Sequence, residues 1–182
     1  MRGMTRAFEQ LFGVADAFEG IQVSGRIDPL ILNDALSAAG LSPALEASRL
    51  QAFKEVYAAM LREELATATR QRVLPGVRDL VATLAERPNV AIGLLTGNYA
   101  MAAEIKLGHF DLWSPFPWGA FGEDGNHRND LLPVALERAR QRGHAPVSAR
   151  DVLVIGDTPH DVECAHSGGA IAVAVATGTA HV

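Results

Sequence analysis

The sequence predicts an α/β chain in which a helical first part precedes βαβ units that build a parallel sheet. Three observations carry this. Residues 1–70 show helical periodicities and no convincing strand. From Pro75-Gly76 onward, short apolar runs alternate with amphipathic segments, as they do where helices cross between parallel strands. The run Val152-Leu153-Val154-Ile155 is apolar and mostly β-branched, and Gly156-Asp157 closes it, so it reads as a buried strand.

Each element has its own signal. Met4, Ala7, Phe8 and Leu11 recur at three- and four-residue spacing up to Gly13, giving a first helix. Asp28-Pro29 supplies a cap and a first-turn proline for a helix through Ala39 that stops at Gly40. Ser42-Pro43 repeats the device for a long helix to about Thr69. After Pro75-Gly76, the residues Val77, Leu80, Val81 and Leu84 mark an amphipathic helix that ends near Arg87-Pro88. Val90 to Leu95 follows as a strand, then a helix from Asn98 to about His109. Trp113, Phe116, Trp118 and Phe121 form an aromatic segment expected to pack near the sheet edge. A helix from about Leu131 to Arg142, the strand at 152–155 with a helix opened by Thr158-Pro159, and a last strand from Ala170 to Ala176 complete the series. There is no internal repeat and no low-complexity tract.

With 182 residues, 48% of them hydrophobic, and a formal charge of −5, the chain can bury a sizeable core as one domain or as a core with a small insertion. The arginines are scattered and no basic run interleaves with aromatics, so nucleic acid is not an expected partner. No apolar run reaches the roughly 18 residues of a membrane span and no signal peptide opens the chain, so no membrane association is expected. Cys164 is the single cysteine and is expected to be a small buried hydrophobe. A reducing compartment, the cytoplasm, is the expected location.

Two strand-to-helix turns carry the candidate chemistry. Asp157 and Asp161 stand four apart at the carboxyl end of a strand, where open α/β sheets bind ligands. Paired acids there suit Mg²⁺, a hard cation that favours oxygen ligands and keeps several waters. A purely structural reading also fits, with Asp157 as a helix cap and Asp161 as a first-turn acid. The second turn is Thr96-Gly97-Asn98. Thr96 offers a hydroxyl, Gly97 admits close backbone approach, and Asn98 can cap the next helix, whose free N–H groups make an anion seat. Alone this is an ordinary turn, but beside the acidic one it makes a site for a metal-bound phosphate.

These residues resemble the haloacid-dehalogenase-like hydrolases, in particular the phosphoglycolate-phosphatase-like branch. Leu95-Thr96-Gly97-Asn98 is similar to that superfamily's second motif, and Gly156-Asp157-Thr158-Pro159-His160-Asp161 to its fourth. The resemblance implies a Rossmann-like parallel sheet with a small helical cap: a cap-entry helix over 1–12, the cap over 13–71 and the α/β core over 72–182. It implies hydrolysis of a small phosphorylated metabolite with Mg²⁺. Asp157 would ligate the metal directly, Asp161 would act more through bound water, and Thr96, Gly97 and Asn98 would hold the phosphoryl group. Arg128, in His127-Arg128-Asn129-Asp130, matches the third motif's basic residue, usually lysine. Lys106 is the rival, expected instead on a helix surface. Gly25-Arg26 in the cap is a weaker candidate for touching the leaving group.

The superfamily's first motif, Asp-x-Asp on a central strand before the cap, supplies the nucleophile and the general acid–base. No Asp-x-Asp occurs in this sequence, and Asp124 lies in a turn-rich loop rather than at a strand end. Phosphate monoester hydrolysis can require up to ~10²¹-fold acceleration. Sites stripped of their nucleophile keep only about 10³–10⁴ over water. The chain as written is therefore expected to be inactive and its central strand missing, as in a fragment or a product of a misplaced gene start. The alternative is a non-catalytic descendant that binds a ligand or partner. A metal set of His160, Asp161, Cys164 and His166 matches no zinc spacing. No Gly-rich nucleotide loop is present.

Overall fold

The computed structural model describes residues 1–69, 72–144 and 148–177. The expected cap–core boundary at 71 and the last residues of the expected core, 178–182, lie outside the described residues. Helix α1 (Arg2–Phe12) closes at Gly13, which takes the left-handed conformation, φ 70°, and returns its N–H to Glu9 O. Helix α2 (Asp28–Ala38) carries the expected first-turn proline. Helix α3 (Ala47–Thr67) starts later than the Ser42-Pro43 signal implied, because the chain turns at Pro43, whose carbonyl accepts Leu45 N–H, and helical bonding begins at Glu46.

These helices share one core. Met4, Ala7 and Phe8 of α1, Ile31, Leu32, Ala35 and Leu36 of α2, and Phe53, Tyr57, Leu61 and Leu65 of α3 are all buried in it. The rings interlock: Phe8 and Phe12 stand 4.6 Å apart, and Phe8 meets Phe18 edge-on at 5.4 Å. Such contacts add about 0.5–1.5 kcal/mol per pair beyond the area buried. The same cluster takes in Tyr99 and Ala102, although both lie in the part of the sequence expected to belong to the α/β core.

Helix α4 (Val77–Ala85) follows, with Leu80 exposed and no buried residue. Strand β1 (Leu94–Leu95), helix α5 (Ala100–Gly108), strand β2 (Gly119–Ala120), helix α6 (Leu131–Gln141), strand β3 (Leu153–Gly156), helix α7 (Pro159–Ser167) and strand β4 (Ile171–Ala174) complete the chain. Pairing is parallel, as the βαβ order demanded. Leu94 and Leu95 lie opposite Gly119 and Ala120, and Leu153 through Gly156 lie opposite Ile171 through Ala174. Strand β1 is shorter than the expected Val90–Leu95, since its backbone partners reach only from Trp118 to Ala120.

Among the described residues the two strand pairs are not hydrogen-bonded to each other. Their contact runs through side chains: Leu95 packs beside the cluster of Leu132, Val154, Cys164, Ala165 and Ala170. Cys164 is fully buried, as expected. The opposite face of the second pair is bare. Leu153 and Ile155 are 58% and 51% exposed, and their register partners Ile171 and Val173 are 48% and 37% exposed.

Candidate functional site

The acidic turn is built by a cap. Thr158 is the N-cap of α7, and Pro159 fills the first turn. Thr158 Oγ1 accepts the Asp161 N–H at 3.3 Å, while Asp161 Oδ2 accepts the Thr158 N–H at 3.0 Å, a reciprocal capping box. Asp161 Oδ2 also accepts the Asp157 N–H at 3.2 Å and the Thr158 hydroxyl at 2.8 Å. The structural alternative for this turn is thus half right: Thr158 rather than Asp157 is the cap, and Asp161 is the first-turn acid.

Arg128 completes the acid's environment. Its guanidinium forms an ion pair with Asp161 Oδ1, and both side chains are largely buried. Burial pushes the Asp161 carboxyl up, but the Arg128 charge and the Thr158 hydroxyl and N–H outweigh it and hold the group below its ordinary value. Arg128 Nε is buried without a partner among the described residues.

The phosphate-type turn lies against the same arginine. A Cβ on Gly97 would stand 3.1 Å from Arg128 Nη1 and would run into the Arg26 carbonyl. Glycine at 97 is what lets cap, turn and arginine close on one point. Thr96 Oγ1 accepts the Asn98 N–H at 3.2 Å, tightening the turn. The structure therefore brings Gly97, Arg128 and Asp161 together, with Thr96 and Asp157 as chain neighbours of that cluster.

Asn98 does not cap α5; the helix begins after Tyr99 with no side-chain cap of its own. Two acids from elsewhere fill its N-terminal donors. Asp28 Oδ2 accepts the Tyr99 N–H at 2.8 Å, and Glu123 Oε2 accepts the Ala100 N–H at 2.9 Å. Those N–H groups are thus not free for an anion. What the turn leaves open is the Gly97 N–H, which has no partner among the described residues, together with the Thr96 hydroxyl. Sequence reasoning took Asp28 for a helix-start residue and did not single out Glu123.

Lys106 corrects another expectation. It is half-buried rather than a surface residue, and its Nζ donates to Asn98 Oδ1 at 2.9 Å. Desolvation lowers its pKa, against the opposing charges of Asp28 and Glu64. Arg26 turns toward the cap, pairing with Asp34 at 2.7 Å and donating to Gln22 O at 3.0 Å. The loop it occupies still touches the acidic turn. Gly25, at φ +72°, lies so close that a Cβ would stand 2.8 Å from Thr158 Oγ1. Asp124 is engaged by Arg138 at 2.5 and 2.7 Å and accepts the Phe121 N–H at 2.9 Å, a structural role.

The donor set admits Mg²⁺ narrowly. Asp157 is exposed and no described residue hydrogen-bonds its carboxylate, whereas both Asp161 oxygens are engaged. No group of three ligating side chains occurs among the described residues. Mg²⁺ needs only one or two carboxylates where phosphate and water supply the other ligands. Asp157 meets that minimum.

The haloacid dehalogenase-like hydrolase family matches residues 5–166. A hydrolase from Pseudomonas syringae shares the fold at a TM-score of 0.63 and 20% identity, over 100% of this chain and 80% of that one. A Clostridium difficile protein provisionally described as a phosphatase aligns at a TM-score of 0.57 and 18% identity, over 97% of this chain and 77% of that one. No curated protein matches. No described helix is long and apolar enough to cross a membrane. With a matching family over most of its length and that family's strand-end turns closing on one arginine, the chain belongs to the haloacid dehalogenase-like hydrolases.

Proposed function

We propose that this chain carries the phosphate- and metal-binding part of a Mg²⁺-dependent phosphomonoesterase for a small phosphorylated metabolite, located in the cytoplasm. The supporting observation is the meeting of Arg128, Gly97 and Asp161 at one point. Arg128 neutralises phosphoryl oxygens with its guanidinium charge, while Asp161 fixes the guanidinium in place. Thr96 Oγ1 and the Gly97 N–H donate to the same group, and Asp157 faces solvent as the metal ligand. Asp157 would hold Mg²⁺, and the ion when bound would supply charge neutralisation for the phosphoryl group. In this reading the parts 1–12, 13–71 and 72–182 are the cap-entry helix, the helical cap and the α/β core.

No Asp-x-Asp is present to attack phosphorus, so this chain binds phosphate without turning it over. The test is a titration with inorganic phosphate and Mg²⁺, followed by calorimetry, beside an assay with p-nitrophenyl phosphate. Phosphate binding that Mg²⁺ strengthens, that Asp157→Asn makes Mg²⁺-independent, and that yields no nitrophenol is the expected result. Turnover above buffer overturns the inactivity, and an Asp157→Asn variant with unchanged Mg²⁺ dependence overturns the metal assignment. The second reading, a non-catalytic descendant that binds another ligand or a partner instead of phosphate, is favoured by one observation: Asp28 and Glu123 already occupy the α5 N–H groups that an anion would otherwise use.

A further inference from the structure

We propose that Asp28, contributed by the cap, is the positioning residue for the phosphate-binding turn, acting through a directed chain of hydrogen bonds from Lys106 through Asn98. This rests on the phosphate-seat reading given above. Asp28 grips the turn at three points. Its N–H donates to Gly97 O at 2.7 Å, its Oδ2 accepts the Tyr99 N–H at 2.8 Å, and its Oδ1 accepts from Asn98 Nδ2 at 3.4 Å. The residue is only 4% exposed.

The chain has a polarity that only an acceptor at its end can sustain. Lys106 Nζ has donors alone, so Asn98 must present its oxygen there. Its amide nitrogen then points at Asp28, which must accept. A carboxylate accepts with both oxygens and so takes Asn98 and Tyr99 at once. An asparagine at 28 has one acceptor for two donors; turning the Asn98 amide moves the donor–donor conflict to Lys106, and turning the asparagine at 28 moves it to the Tyr99 N–H.

Burial of this acid is unfavourable. Desolvation pushes the Asp28 carboxyl up, despite the Tyr99 N–H, the Lys106 charge and the Asn98 amide, which pull it down. A side chain kept only for packing would be better neutral. Its contacts instead fix the two peptides on either side of Asn98, the first of which adjoins the peptide that carries the Gly97 N–H. Cap and turn pack together: Tyr99, just before α5, and Ala102 within it are buried in the cap's own core, and Lys54 of α3 lies 4.5 Å over the Tyr99 ring.

Backbone amide NMR of the full chain, titrated with inorganic phosphate, tests this with wild type, Asp28→Asn and the helix-surface control Asp34→Asn. Wild type is expected to show a phosphate-dependent shift of the Gly97 amide. Asp28→Asn is expected to weaken that response at least tenfold and to move the Tyr99 amide, while α1 and α3 amides stay in place. Asp34→Asn is expected to match wild type. A wild-type Gly97 amide that ignores phosphate overturns the phosphate seat and this role with it. A responsive wild type with an equally responsive Asp28→Asn overturns the role of Asp28 alone, as does a loss that Asp34→Asn shares. If Asp28→Asn does not fold, Lys106→Met, which removes the donor to Asn98, is expected to weaken the Gly97 response two- to fivefold. No change in that variant overturns the chain.

Discussion

The two halves of the molecule spend similar apolar side chains in opposite ways. In α1, α2 and α3 the large residues face one another, and Phe8, Phe53, Leu32 and Leu36 are fully buried. In the β3–β4 pair only Val154 is buried with the α7 residues Cys164 and Ala165, while Leu153, Ile155, Ile171 and Val173 face outward. Hydrophobicity stabilises only where a second layer removes it from water, so composition alone says little about where stability resides. The sharpest way to break this contrast is a pair of truncations. Phe53→Ala is expected to cost about 3–5 kcal/mol in urea unfolding, the range for buried aromatics. Leu153→Ala is expected to change stability by no more than about 0.5 kcal/mol. Comparable losses at both positions would mean that the β3–β4 face is covered in solution.

The candidate site joins the two halves, and its ion pair gives the next-largest effect. Arg128→Met leaves the Asp161 carboxylate largely buried with its main partner gone. That is expected to cost about 1.5–3 kcal/mol at neutral pH, the scale for hydrogen bonds to charged groups. The sign with pH follows from the shift. Asp161 is held below its ordinary value of 3.8 in the folded chain, so its contribution is complete above that pH and is lost as the pH falls through the folded value. The gap between wild type and Arg128→Met, read as midpoints of urea unfolding, should therefore be constant from neutral pH down to about 5 and close in stronger acid. A gap that persists unchanged at pH 2 would assign the loss to packing instead.

Local signals explain what the sequence disclosed. Proline after an acid or a threonine marked the starts of α2 and α7, because caps and first-turn prolines act within three or four residues. Thr96, Gly97, Asp157 and Asp161 were legible for the same reason, each standing at a turn beside its own strand. Partners distant in sequence were not. Asp28 meets Tyr99 seventy-one residues away, and Glu123 reaches back to Ala100 across twenty-three. Nothing in Asp-Pro says that the carboxylate faces another helix. Lys106 was misplaced for a related reason, since one cation in an amphipathic helix reads as solvated until the asparagine beneath it is known. Strand length also depends on a partner, and among the described residues only Leu94 and Leu95 of the expected Val90–Leu95 strand are paired.

The smallest stability effect is also the one that isolates the bare face. Ile155→Lys places a charge on a side chain that is already half in water, among Leu153, Ile171 and Val173. A buried position would suffer several kcal/mol from such a change, because a charge without a partner must be desolvated. Here the ammonium stays hydrated and only the partial cover of the ring of neighbours is lost, so stability is expected to move by no more than about 0.5 kcal/mol. Exposed apolar surface beside unpaired strand edges favours self-association, and a lysine there opposes it. Fluorescence of an added hydrophobic dye should fall, and sedimentation at high concentration should show fewer oligomers, with the α1–α3 core unchanged in unfolding. If the variant instead unfolds with Phe53→Ala-like losses, the β3–β4 face is packed against something in solution and the contrast between the halves disappears.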